Sequence, residues 1–151
     1  MSLVRIGGLV DHPLTLTYDV VARAPHITAR DDFHCVEGWS RPNQVWQGYW
    51  LANLISLADP RPAARFVEVG CQNFVTVLPL PLLANSALLA DSLNGHPLTH
   101  STGGPWRLVV LGGSCYQSIK WVDRVTLVDH DHGNTAREMA LNRLREVQSG
   151  E

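Results

Sequence analysis

The chain has 151 residues, 45% of them hydrophobic, enough for a single core that removes roughly 70% of the unfolded chain's surface from water. Its formal charge of -2 leaves no electrostatic footprint for nucleic acid or for an anionic membrane surface, and both partners are set aside. No apolar run approaches the ~20 residues of a membrane span. The start, MSLVRIGGLV, lacks a basic segment followed by a long apolar one. A cytoplasmic protein is therefore expected, with a periplasmic location open if an export signal has been removed.

In chain order, HPLTLTYDV predicts a short alternating strand from Leu14 to Thr17 and then a helical turn. HITARDDFHCVE is a second extended segment, stopped by Gly38, after which Trp39 to Trp46 reads as loop. From Tyr49 to Asp59 the apolar residues Leu51, Leu54, Ile55 and Ala58 recur at helical spacing, and DPRP ends the helix. ARFVEVGC and NFVTVLPL predict two adjacent strands, and in ALLADSLNGHPLT the Asn94-Gly95 pair marks a tight turn after a further one. Arg107 to Leu111 and Ser118 to Val128 supply the last strands. After DHDH a C-terminal amphipathic helix is expected, with Thr135 and Glu138 at capping-box spacing and Ala140, Leu141, Leu144 and Val147 as its apolar stripe. Many short strands with few peripheral helices and no regular βαβ alternation argue for a mixed, strand-rich α+β fold. The domain is expected over residues 1–129, with 130–151 as linker and helix.

Two groups of residues carry chemistry. Cys35, Cys71 and Cys115 are widely spaced and contain no C-x-x-C pair, which argues against a disulfide framework. Cys35 stands at the end of a predicted strand just before a glycine turn, where scaffolds present reactive groups. Its thiolate suits a nucleophile or a metal ligand, while the alternative is a small buried hydrophobe. His34 is not its base, because neighbouring strand residues face opposite ways. The second group is GGPWRLVVLGGSCYQSIKW, Gly103 to Trp121. Arg107, Ser118 and Lys120 offer a bidentate fork, a hydroxyl and a point charge, the residue types that hold a phosphate. Lys120 is the only lysine among the twelve basic residues. Spacing alone also allows a plain hairpin turn at Gly112-Gly113 with two solvated strand charges, and no P-loop is present. DHDH, Asp129 to His132, offers ligand atoms but reads as a solvated linker.

Taken together, FHCVEGWSRPNQVWQGYWLANLI, ARFVEV, LPLPLLANSALLADSLNGHPL, GGPWRLVV and SIKWVDRVTLVD resemble the molybdopterin-binding domain of the sulfite oxidase family, from about Leu9 to Asp129. The resemblance implies that Cys35 is the thiolate ligand of molybdenum beside the pterin dithiolene, with room for the cofactor at Gly38-Trp39-Ser40. It implies that Arg107, Ser118 and Lys120 clamp the terminal phosphate. Trp39, Trp46 and Trp121 are expected as core and pocket walls. The implied activity is two-electron oxygen-atom transfer on a small oxo substrate, cycling between Mo(VI) and Mo(IV), with electrons exchanged with a separate partner. Three positions depart from the family pattern: Thr102 where a histidine commonly precedes Gly-Gly-Pro, Gln117 where a basic residue often precedes the serine, and Asn73-Phe74-Val75 in place of Gly-Tyr-Ser. They motivate the alternative of a cofactor-binding module without catalysis. Arg30 and Arg41 are candidates for an oxyanion contact, or surface arginines.

Overall fold

The computed structural model describes residues 3–34, 40–71, 74–83, 86–112 and 118–131, with the backbone alone at 31–34, 40–43 and 82. Ten strands form two sheets among these residues. In the first, β2 (Leu14–Leu16), β1 (Val4–Gly8), β10 (Arg124–Val128), β5 (Phe66–Cys71) and β6 (Phe74–Pro79) lie side by side in that order. The pairing of β1 with β10 is parallel and the rest is antiparallel. In the second, β3 (Ile27–His34), β4 (Ser40–Trp50), β7 (Ala87–Leu93) and β8 (His96–Pro97) follow one another, and β9 (Arg107–Val110) also pairs with β7. The described residues also contain two short α-helices. In α1 (Tyr18–Val21) the Thr17 hydroxyl accepts the Val20 amide at 3.3 Å as an N-cap, and α2 (Leu51–Ser56) buries Leu51, Leu54 and Ile55.

Burial follows the strand period. The main core joins Val4 and Ile6 of β1, Val67 and Val69 of β5, Val125 and Leu127 of β10 to Ala87 and Leu89 of β7, Leu108 of β9 and the apolar stripe of α2. The alternate residues of the second sheet, Leu88, Ala90 and Val109, form a separate cluster on its other face with Trp46 of β4. β7 is therefore buried on both faces, which is why it reads as the continuous apolar run ALLA.

The strand-rich α+β expectation holds, with three local corrections. Ser40 to Trp50 is not a loop that gives way to a helix at Tyr49; it is an eleven-residue strand, and the helix starts only at Leu51. Pro42, Asn43 and Gly48 are turn-forming residues that mask it, but β4 pairs on both sides, and Pro42 falls in an irregularity of the β3 ladder. Residues 118–123 are not part of the last strand. Trp121 has φ of 56°, which breaks extended geometry, and isolated bonds replace a ladder: the Leu108 amide to the Ile119 carbonyl and the Val122 amide to the Trp106 carbonyl, both 2.9 Å. β1, which residue patterning left unassigned, pairs between β2 and β10. The expected C-terminal helix lies outside the described residues.

Candidate cofactor-binding site

β9 opens at Arg107, opposite Ala90 of β7, and Ala90 in turn faces Gly48 of β4. Strand alternation sends Leu108 into the main core and leaves Arg107 on the Trp46 face of the sheet. There Arg107 is only 8% exposed, and its guanidinium lies 5.1 Å from the centroid of the Trp46 ring, which is itself 2% exposed. Burial on this scale is unusual for arginine and excludes the reading of Arg107 as a solvated strand charge. The Arg107 Nη1 group donates to the Thr102 carbonyl at 3.0 Å.

The loop before β9 brings in the second cation. Thr99 and Thr102 bind each other reciprocally: the Thr99 amide donates to Thr102 Oγ1 at 2.8 Å and the Thr102 amide to Thr99 Oγ1 at 3.3 Å. That lock turns the loop so that the Ser101 carbonyl accepts Lys120 Nζ at 3.0 Å. The Trp121 indole N–H donates to the His100 carbonyl at 2.8 Å, the Trp121 amide donates to the Gly103 carbonyl at 3.0 Å, and the His100 ring stacks on the indole at 4.9 Å between centroids. Trp121 is thus a rim residue, 40% exposed, outside the core, whereas Trp46 is buried. Gly103 sits where the two cationic side chains converge. Its φ is 98°, and a Cβ there would lie 2.8 Å from Lys120 Cγ and 3.0 Å from Arg107 Cδ. Only a glycine lets the backbone approach both stems at once.

Of the residues singled out by sequence, the fold brings Arg107 and Lys120 together across Gly103. Ser118 is half-buried, two residues from Lys120. Ser40 opens β4 opposite His34, the last residue of β3. Cys35, Trp39, Asn73, Cys115, Gln117 and His132 lie outside the described residues. Arg30 is exposed on β3. Asp129, His130 and Asp131 are exposed, with His130 Nδ1 on Asp129, and among the described residues no three His, Cys, Asp or Glu side chains gather as a metal site. Cys71 is a buried free thiol, pushed up in pKa by desolvation and by the Asp123 carboxylate and partly pulled back by Arg124. That environment makes it a packing residue, not a thiolate. Sequence reasoning did not anticipate the contact of Trp46 with Arg107 or the particular role of Gly103 within its glycine pair.

A second polar group lies at the same end of the sheet. His26 Nε2 meets Asp91 Oδ2 at 3.0 Å, Ser92 Oγ donates to Asp91 Oδ1 at 2.9 Å, and the Tyr49 ring stands edge-on to His26 at 5.1 Å. Asp91 is the extra residue where the β4–β7 register shifts, since Gly48 faces Ala90 and Gln47 faces Ser92. Desolvation, and then the Asp91 carboxylate, push the Tyr49 phenol above its usual pKa.

A family model for the oxidoreductase molybdopterin binding domain matches residues 3–136. The chain belongs to that family. This molybdopterin-binding domain is 35% identical over 131 residues to an uncharacterized oxidoreductase, YuiH, of Bacillus subtilis, a match covering 85% of this chain and 66% of YuiH. It is 32% identical to the protein-methionine-sulfoxide reductase catalytic subunit MsrP of Gluconobacter oxydans, over 91% of this chain and 50% of that one. The crystal structure of the sulfane dehydrogenase SoxCD from Paracoccus pantotrophus superposes with a TM-score of 0.78 at 25% identity, over 85% of this chain and 38% of that chain. The domain thus spans from half to two-thirds of the two curated relatives. No helix among the described residues is long and apolar enough to cross a membrane. The family's cofactor is molybdopterin, and the residues present are of a type that fits its phosphate: the stems of an arginine and a lysine converge on a glycine, whose missing Cβ leaves room for both.

Proposed function

We propose that this domain holds molybdopterin with the Cys35 thiolate on molybdenum, Arg107, Ser118 and Lys120 on the terminal phosphate, and Ser40 beside the pterin. The observation that carries the reading is the convergence of Arg107 and Lys120 on Gly103, with Nη1 and Nζ already oriented by the Thr102 and Ser101 carbonyls. Such a pair binds a dianion without first having to order two long side chains. The bound cofactor supplies two-electron oxygen-atom transfer on a small oxo substrate. The chain's own part is to bind the cofactor, orient it and keep water from it. Arg107 serves as the buried fork, and Lys120 as the point charge at the rim.

Relatives named for protein methionine sulfoxide and sulfane chemistry support a substrate whose reacting atom is sulfur. The designation of MsrP as a catalytic subunit supports a separate electron-transfer partner. The test is molybdenum content, together with fluorescence of the oxidised pterin, on protein purified from a cofactor-producing host. Molybdenum close to one per chain is expected in the wild type. In Cys35→Ser the metal should fall well below that level, while Arg107→Ala should lose pterin and metal together. Full metal content in Cys35→Ser would remove the thiolate assignment.

A further inference from the structure

We infer that Trp46 is a positioning residue of the anion clamp, its buried indole face setting the plane of the Arg107 guanidinium that takes the cofactor's phosphate. The inference rests on the phosphate role of Arg107 proposed above and extends it to a residue on a different strand. Trp46 lies on β4 two residues before Gly48, which faces Ala90, which faces Arg107, so the indole and the guanidinium share one face of the sheet. Their separation of 5.1 Å is within the range of a cation–π contact. At 2% and 8% exposure, neither partner is screened by water, the condition under which such a contact is strongest.

The indole nitrogen provides a second, independent observation. Trp46 Nε1 is buried and, among the described residues, has no hydrogen-bond partner. Burying an unpaired donor is unfavourable, and a role in packing alone is met as well by an apolar side chain without one. What the indole offers beyond packing is the strongest quadrupole among aromatic side chains. Among the described residues, the ring against its face and the Thr102 carbonyl on Nη1 both hold the guanidinium. A planar fork recognises phosphate through its orientation, so fixing that plane before binding lowers the cost of ordering it.

The test replaces Trp46 alone among the five tryptophans, by site-specific incorporation of tryptophans bearing one to four fluorines and of benzothienylalanine, which keeps the shape and lacks the N–H. The readouts are the dissociation constant of molybdopterin for the full apo chain, by equilibrium dialysis, and the melting temperature. Progressive fluorination should weaken binding stepwise, by about three- to tenfold in total, with a fall of about 2–5 °C in melting temperature as the buried contact weakens. Benzothienylalanine should bind like tryptophan. In an Arg107→Ala background, which should itself weaken binding at least tenfold, the fluorine series should be flat.

Three outcomes would overturn the inference. If fluorination leaves affinity unchanged while Arg107→Ala weakens it, the clamp stands and Trp46 is merely packing. Losses of affinity and melting temperature that persist in the Arg107→Ala background would also mean packing. If Arg107→Ala binds molybdopterin as the wild type does, the phosphate role of Arg107 fails, and the positioning role with it.

Discussion

Gly103→Ala separates two costs that usually arrive together. At φ of 98° an L-residue is strained, by about 1–2 kcal/mol. The new methyl also meets Lys120 Cγ at 2.8 Å, Lys120 Cβ at 3.1 Å and Arg107 Cδ at 3.0 Å. The Lys120 atoms lie near its backbone, where a side chain has little room to swing. Moving both stems stretches the bonds to the Ser101 and Thr102 carbonyls, at about 1 kcal/mol each. The sum is about 3–4 kcal/mol, a fall of roughly 6–16 °C in melting temperature for a domain of this size. Gly95→Ala is the matched control, because its φ is 84° and nothing lies within 4 Å of the added Cβ. It should lose only the backbone part, about 1–2 kcal/mol. Thermal unfolding of both variants, with molybdopterin dialysis on each apo chain, checks this. Gly103→Ala should be the less stable and should bind about tenfold more weakly, since the two cations are displaced together. Equal stability losses in the two variants, or wild-type affinity in Gly103→Ala, would refute the convergence of the clamp on that glycine.

Gly48→Ala should abolish folding or cost more than about 4 kcal/mol, because its Cβ would lie 2.2 Å from the Leu89 carbonyl oxygen and 2.7 Å from Ala90 Cα, both backbone atoms of β7. Soluble yield and denaturant unfolding measure it, and a stable variant would contradict the β4–β7 register. Tyr49 sets an alkaline limit. Its pKa is raised in the fold, so its stabilisation is complete below the ordinary tyrosine value of about 10 and is lost as pH climbs through the raised value. Unfolding free energy should therefore fall above about pH 10, and Tyr49→Phe should lessen that fall. In Asp91→Asn the phenol should titrate lower than in the wild type, as read by tyrosinate absorbance against Tyr49→Phe. Identical alkaline profiles for wild type and Tyr49→Phe would exclude the coupling.

Residue patterning makes the paired strands β5 and β6 legible, along with the Asn94-Gly95 turn and the apolar stripe of α2, because each signal is local: alternation of two, a glycine that accepts positive φ, helical spacing. It also groups Arg107, Ser118 and Lys120, the last the only lysine in the chain, as residue types that hold a phosphate. The sequence by itself thus determines a strand-rich α+β domain and the chemistry of its candidate ligands. β4 escapes it because Pro42 and Gly48 signal a turn, and only pairing on both sides with β3 and β7 makes them strand residues. Trp121 escapes as well, its φ of 56° tied in place by hydrogen bonds to the His100 and Gly103 carbonyls across a gap in sequence. The ring of Trp46 beneath Arg107, and Gly103 between the stems of Arg107 and Lys120, are decided by tertiary structure alone. Those contacts join β4, β9 and two loops, and no local preference of the backbone encodes a distance between segments that meet only once the sheet has formed.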